Sequence, residues 1–278
     1  MKAVAASSIA QYERSVAALA DYLRTIELGL SASLREDGLT PAPASTAAPP
    51  AAAASGPTRS GTIGAIVFGS DQGLVGQFND AIAIHAVDTL AAIPGPVQVW
   101  AVGERVQARL AATGLAATGV FAVPASVAAI TALVAQILVQ AEAFAASGRA
   151  AELYLFYNRP TTGAIYTPAT ERLLPLDAAW RRGLMQRHWP THMLPEVLGT
   201  ATTTLRALIG EYLFVSLFRA CAESLASENA SRLAAMQRAE KNIDELLIDM
   251  NASFHRLRQS SIDEELFDVV SGFEALSQ

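Results

Sequence analysis

From Thr200 to Gln278 the chain has no proline, and only Gly210 and Gly272 interrupt it. Apolar positions recur at Leu205, Leu208, Tyr212, Val215, Phe218, Ala222 and Leu225. They resume at Leu233, Met236, Ile243, Leu247, Met250, Phe254 and Leu257, and finish with Val269 and Phe273. Steps of mostly three and four make a coiled-coil seam rather than the stripe of a short domain helix. About 75 residues at ~1.5 Å each reach ~110 Å, whereas a globular domain the size of the preceding zone is only ~40 Å across. Such a helix is expected to pack along another. Only residues 1–36 offer one of useful length: Val4, Ile9, Tyr12, Val16, Leu19, Leu23 and Ile26 approximate a helical stripe, with no proline or glycine before Gly29. The pattern predicts that both chain ends leave together as an antiparallel helical pair.

The middle has a different rhythm. Residues 37–61 alternate Pro41, Pro43, Pro49, Pro50 and Pro57 with Ala, Ser and Thr, the composition of a linker. Residues 62–199 alternate apolar strands with helices. Strands are expected at Thr62–Gly69, Val97–Val102, Gly119–Val123 and Leu153–Tyr157, and helices at Asn79–Ala92, Glu104–Ala112 and Ser126–Ala146. Ala164–Leu174 reads as an extended segment at a sheet edge. Near-continuous apolar strands separated by helices imply a parallel sheet covered on both faces. Leu110–Ala141 holds no charge, but Gly114, Gly119 and Pro124 break it, so a strand followed by a buried helix fits better than a membrane span.

Composition narrows the chemistry. With 278 residues, 51% of them hydrophobic, the chain can bury a core. Its 20 basic and 26 acidic residues give a net charge of −6, without the electrostatic footprint of a general nucleic-acid binder. The single cysteine, Cys221, excludes an intrachain disulfide framework and suits interhelical packing in a reducing compartment. Lys2, Glu13, Arg14, Asp21, Arg24 and Glu27 interrupt the opening, so no secretory signal is expected there. No cofactor is expected.

The candidate motifs have weak chemistry of their own. Gly69, Gly73 and Gly76 follow a strand and precede a helix, but their spacing is not that of a dinucleotide fingerprint, and no Lys-Ser or Lys-Thr follows. A structural turn including Asp71, Gly73, Gly76 and Asn79 is the simpler reading. Ser70 lacks the G-x-S-x-G frame of a nucleophile elbow. Asp263, Glu264, Glu265 and Asp268 lie on a long helix with no pocket to shift their titration, so they read as a solvated or partner-facing surface. His188 and His192 have metal-ligand spacing, but Pro190 between them disrupts the helix that would align them. The basic cluster His255-Arg256-Leu257-Arg258-Gln259 reads, on its residues alone, as a solvated face.

Four segments together resemble the gamma subunit of F-type ATP synthases. Ser227-Glu-Asn-Ala-Ser-Arg-Leu-Ala-Ala-Met236 is similar to the family's S-E-x-A-A-R-M-x-A-M. Arg258-Gln-Ser-Ser-Ile-Asp-Glu-Glu-Leu266, continuing to Ser271-Gly272, is similar to its R-Q-x-x-I-T-x-E-L and following S/G-G-A. Ser70-Asp-Gln-Gly-Leu-Val-Gly-Gln-Phe-Asn79 resembles its S/T-D-R-G-L-C-G-x-x-N, and Met1-Lys-Ala-Val-Ala-Ala-Ser its A-M-x-M-V-A-A-S/A-K. Departures are Asp263 for the family's threonine, Gln72 for its arginine, Val75 for its cysteine and His255 for its asparagine, together with the unusual linker. Family members carry further residues before the position of Met1, so either the shaft helix is shorter here or the start is assigned too late.

The resemblance implies an α/β fold: an antiparallel coiled coil of N- and C-terminal helices plus a Rossmann-like head with a mainly parallel sheet. It divides the chain into an N-terminal shaft helix (1–36), a linker (37–61), a head (62–199) and a C-terminal shaft helix (200–278). It implies a central-stalk rotor held by three alpha and three beta subunits, bound to epsilon and the c-ring, peripheral on the cytoplasmic face of a bacterial inner membrane. Catalysis would belong to beta and none to this chain. Arg258, Gln259 and Asp263 would meet a beta-subunit loop, and Met1, Lys2 and Met236 would make shaft contacts. The competing classes are a non-rotary coiled-coil scaffold with an α/β head and a nucleotide-dependent enzyme using residues 69–79.

Overall fold

A computed structural model describes residues 2–36, 61–148, 150–162, 164–191, 193, 195–196 and 200–276. Met1, His192 and the linker before Gly61 lie outside the described residues. Eleven elements follow in order: α1 (Lys2–Glu36), β1 (Thr62–Phe68), α2 (Phe78–Ala91), β2 (Val97–Val102), α3 (Glu104–Ala112), β3 (Gly119–Phe121), α4 (Val127–Ala146), β4 (Ala150–Thr161), β5 (Ala164–Leu174), α5 (Ala178–Met185) and α6 (Ala201–Leu276). The chain forms two compact units, the first ending at Leu233 and the second beginning at Ala234, with α6 contributing to both.

The sheet order is β3-β2-β1-β4-β5, parallel except for β5, which pairs antiparallel with β4 at the edge. Alternate residues of β1 point to opposite faces. Ile63, Ala65 and Val67 join Val99, Ala101 and Phe156 under α2 and α3, where Ile82, Ala86, Val106 and Leu110 close the layer. Ile66 and Phe68 join Trp100, Leu153, Leu155 and Tyr157 on the other face, against α4 and against Leu217, Ala220, Cys221 and Leu225 of α6. Both faces are therefore buried, which is why these strands read as continuous apolar runs. Gly64 points into the α4 layer, where a Cβ would lie 2.7 Å from Leu153 and 2.9 Å from Phe144. Helix α4 is long and apolar enough to cross a membrane by length and composition, but Ile130, Leu133, Val134, Ile137 and Phe144 pack one face of it into this layer.

In the first unit α1 runs antiparallel to the start of α6. Near its end, Gly29 sits against Leu208; further back, the Tyr22 phenol donates to Glu211 at 3.0 Å; further still, Tyr12 shares a cluster with Cys221 and Leu225. Leu23, Ile26, Leu30 and Leu34 pack with Val215 of α6 and Leu184 of α5.

Two local expectations needed correction, and one helix was not anticipated. Strand β4 extends beyond Tyr157 to Thr161, because the Pro160 end pairs only with β5 and the register shift between Arg159 and Thr161 absorbs it. Strand β3 stops at Phe121, short of Val123. Helix α5 has only eight residues, including Gly183, too few for periodicity to show; Asp177 starts it by accepting from Trp180 N at 2.9 Å. The antiparallel pair of terminal helices is uneven in length. The 35 residues of α1 span ~52 Å and the 76 of α6 ~114 Å. In the second unit Ile243, Leu247, Phe254 and Leu257 are 56%, 52%, 61% and 72% exposed.

Candidate functional site

Residues 69–79 leave the end of β1 and turn into α2. Asp71 is the tie in this turn. Its Oδ1 accepts from Glu104 N at 2.9 Å, at the start of α3, and its Oδ2 from Val123 N at 2.9 Å, just past β3. One carboxylate thus gathers the ends of three strands. Asn79 closes the turn from the other side: Ser70 N donates to its Oδ1 at 2.9 Å, and its Nδ2 donates to Ser70 Oγ at 2.8 Å. Gly76 and Leu74 have φ of 56° and 63°. Gly103 has φ 113°, and a Cβ there would lie 2.7 Å from the Ser70 carbonyl oxygen, so glycine is required. Gly73 has no such constraint, its added Cβ meeting nothing nearer than Arg105 at 3.9 Å.

Helix α6 holds this turn through small hydroxyls. Ser231 Oγ donates to the Val75 carbonyl at 2.6 Å. One turn earlier, Ser227 Oγ donates to the Asn158 carbonyl at 3.0 Å, and Asn158 Nδ2 donates to the Phe78 carbonyl at 3.0 Å. Three separate segments meet here: the turn after β1, the end of β4 and residues 227–232 of α6.

Arg258, Gln259 and Asp263 stand elsewhere, exposed on α6 within the second unit, where a spacing of four puts Gln259 and Asp263 on one helical face. Glu264, Glu265 and Asp268 are exposed beside them. Lys2 and Met236 are half-buried, each in its own unit.

A family model described as ATP synthase matches residues 1–276. The chain belongs to the ATP synthase gamma family. It is 35% identical over 127 residues to the ATP synthase gamma chain of Syntrophus aciditrophicus (strain SB), which covers 46% of this chain and 43% of that one. With the ATP synthase gamma chain of Stenotrophomonas maltophilia (strain R551-3) it shares 26% identity over 217 residues, 77% of this chain and 74% of the relative. The match to the first relative therefore spans less than half of that protein's length. Among solved structures, the central stalk and c-ring of Tetrahymena thermophila mitochondrial ATP synthase aligns at TM-score 0.55 and 21% identity, over 86% of this chain and 97% of that chain. The F1 and c-ring assembly of Euglena gracilis mitochondrial ATP synthase, rotational state 3, aligns at TM-score 0.59 and 15% identity, over 98% and 95%. At these identities the structures speak for a shared fold: two terminal helices around a mostly parallel five-stranded sheet.

The turn at 70–79 and residues 227–232 are thus the two sides of one interlock. Its electrostatic centre is Glu228, 5% exposed and ion-paired with Arg232. Burial pushes its carboxyl above the ordinary glutamate range, the Arg232 guanidinium pulls it back, and the nearby Asp71 charge adds to the rise. Cys221, 1% exposed, has its thiol pushed up by burial and is packing. His188 lies past the end of α5, and among the described residues no group of His, Cys, Asp and Glu could hold a metal ion. Sequence reasoning missed Asn158, Ser227 and Ser231. The signal for the serines was present: two hydroxyls four apart, on one face of a helix.

Proposed function

We propose that this chain is the central-stalk rotor subunit of an F-type ion-translocating ATP synthase or ATPase, coupling rotation of a membrane c-ring to conformational change at catalytic beta subunits. The supporting observation is the second unit of α6, which presents Ile243, Leu247, Phe254, Leu257, Leu266 and Phe273 to solvent over about eight helical turns. Exposed apolar area of this extent marks a binding surface, and a helix open along its length suits a surrounding collar of alpha and beta subunits. Membership of the gamma family supports that collar, and the F1 and c-ring named in the Tetrahymena and Euglena assemblies support the c-ring as a partner.

In this reading the head carries epsilon and rests on the c-ring, peripheral to the cytoplasmic face of a bacterial membrane. The N-terminal helix through residue 36 and residues 200–278 form the shaft, 62–199 the head, with 37–61 linking them. Catalysis belongs to beta. Arg258 and Gln259 offer a guanidinium and an amide to an acidic beta loop, with Asp263 one turn further on the same side. Lys2 and Met236 belong to the shaft, as does Met1.

The test is reconstitution with alpha, beta and epsilon subunits. Arg258→Ala with Gln259→Ala is expected to lower ATP turnover about tenfold, since a charge-assisted contact is worth on the order of 1.5 kcal/mol. The isolated chain should unfold at the same denaturant concentration as the unmodified protein. Unchanged turnover removes the contact, and failure of the unmodified chain to co-purify with alpha and beta removes the rotor reading.

A further inference from the structure

The sheet and α6 meet through small apolar side chains: Ala220, Cys221, Ala222 and Ala226 form much of the helix's contribution to that layer. Such packing resists separation, but it is non-directional, so it tells one register from another less sharply than directional bonds do. Directional bonds lie beside it. Arg159 of β4 donates from Nε to Glu223 Oε2 at 2.8 Å and from Nη2 to the Tyr157 hydroxyl. That hydroxyl donates to Glu171 Oε2 of β5 at 3.2 Å, and Arg219 Nη2 of α6 donates to the same oxygen at 2.7 Å. The path leaves α6 at Glu223, crosses β4 and β5, and returns to α6 at Arg219, one helical turn from its start. Tyr157 is fully buried at its centre.

The two ion pairs have opposite polarity. At one, the helix supplies the cation (Arg219) and the sheet the anion (Glu171); at the other, the helix supplies the anion (Glu223) and the sheet the cation (Arg159). A slip of α6 by one turn, about 5.4 Å, is the natural step for packed helices. In one direction it would set Arg219 against Arg159; in the other it would set Glu223 against Glu171. Like charges meet either way, whereas two pairs of the same polarity would tolerate the step.

We propose that Arg159, Glu171, Arg219 and Glu223 form a register lock that fixes the head sheet on α6 and carries the turning load from head to shaft. The lock rests on the rotor reading above. These are positioning residues: they touch no reacting group.

The experiment reconstitutes the full complex in liposomes and measures ions pumped per ATP hydrolysed, alongside the hydrolysis rate and co-purification. Glu171→Arg, which faces Arg219 with a like charge, is expected to lower pumping per ATP about threefold while hydrolysis and assembly persist. The fourfold exchange Arg159→Glu, Glu171→Arg, Arg219→Glu and Glu223→Arg restores opposite charges at both pairs and is expected to restore the ratio. An unchanged ratio in Glu171→Arg, or no recovery in the exchange, overturns the lock. Should Glu171→Arg not assemble, Glu171→Gln with Glu223→Gln keeps the shapes and removes both anions. That pair is expected to lower the ratio about twofold against an opposing ion gradient, and an unaltered ratio overturns the proposal. Loss of complex formation by the unmodified chain would instead count against the rotor reading.

Discussion

Residues 205–225 and 243–273 of α6 share one apolar rhythm and have opposite surroundings. In the first stretch Val215, Leu217, Ala220, Cys221 and Ala222 are at most 1% exposed, because α1 lies on one side and the sheet on the other. In the second, Leu257 and Phe273 are 72% and 73% exposed. Periodicity records that a helical face will be covered; it does not record by what. The covering element must be long enough, and α1 is less than half the length of α6. Apolar side chains left open by the chain's own elements are what the proposed rotor role would use.

The sharpest way to break this contrast is to truncate one leucine in each stretch. Leu217 is fully buried in the sheet layer, so Leu217→Ala is expected to destabilise the isolated chain by about 3 kcal/mol, read by denaturant unfolding. Leu247→Ala removes the same atoms from an exposed site and is expected to cost less than ~0.5 kcal/mol in the same assay. Equal losses would mean that the second stretch is also buried in the isolated chain.

Smaller losses are expected at the interlock, which lies just past the first stretch at residues 227–232. Asn79→Ala strips partners from the Ser70 amide and hydroxyl in a buried turn, at a cost of about 2 kcal/mol. Ser231→Ala leaves the Val75 carbonyl without its donor, at about 1 kcal/mol. Denaturant midpoints of the two variants check both values and their order. A Ser231→Ala protein as stable as the parent would show that the turn stands without α6.

The sheet was legible because physical signals coincided: strands buried on both faces are apolar throughout, and Pro94-Gly95-Pro96 and Gly114 mark the ends of the helices between them. The length of β4 was not, since Asn158-Arg159-Pro160 reads as a breaker and its strand conformation depends on a partner outside that window. At the site, the sequence pointed to Asp71 and Asn79 as turn residues, but not to what they hold. Asp71 bonds to amides 33 and 52 residues away, and no local pattern encodes distances of that kind. Arg159 and Arg219 were equally silent. Each is an ordinary charged residue in sequence, and the lock appears only when β4, β5 and α6 are brought together.

The subtlest effect lies between the two stretches of α6, and it is a titration. Glu228 is buried, and burial raises its folded-state pKa above the value it has in the unfolded chain. Across the interval between those two values the folded protein holds a proton that the unfolded chain has released. Stability therefore falls as pH rises through that interval, and the favourable contribution is complete only below the unfolded value. Arg232 opposes the rise. Glu228→Gln is neutral throughout, so it is expected to flatten the decline in stability from the ordinary glutamate pKa upward. Glu27, also raised by burial, leaves a residual slope. Denaturant unfolding of parent and variant at a series of pH values measures the difference. A variant that loses stability more steeply than the parent would mean that the Arg232 pairing outweighs desolvation, and that Glu228 is held as a carboxylate to bind α6 to the turn.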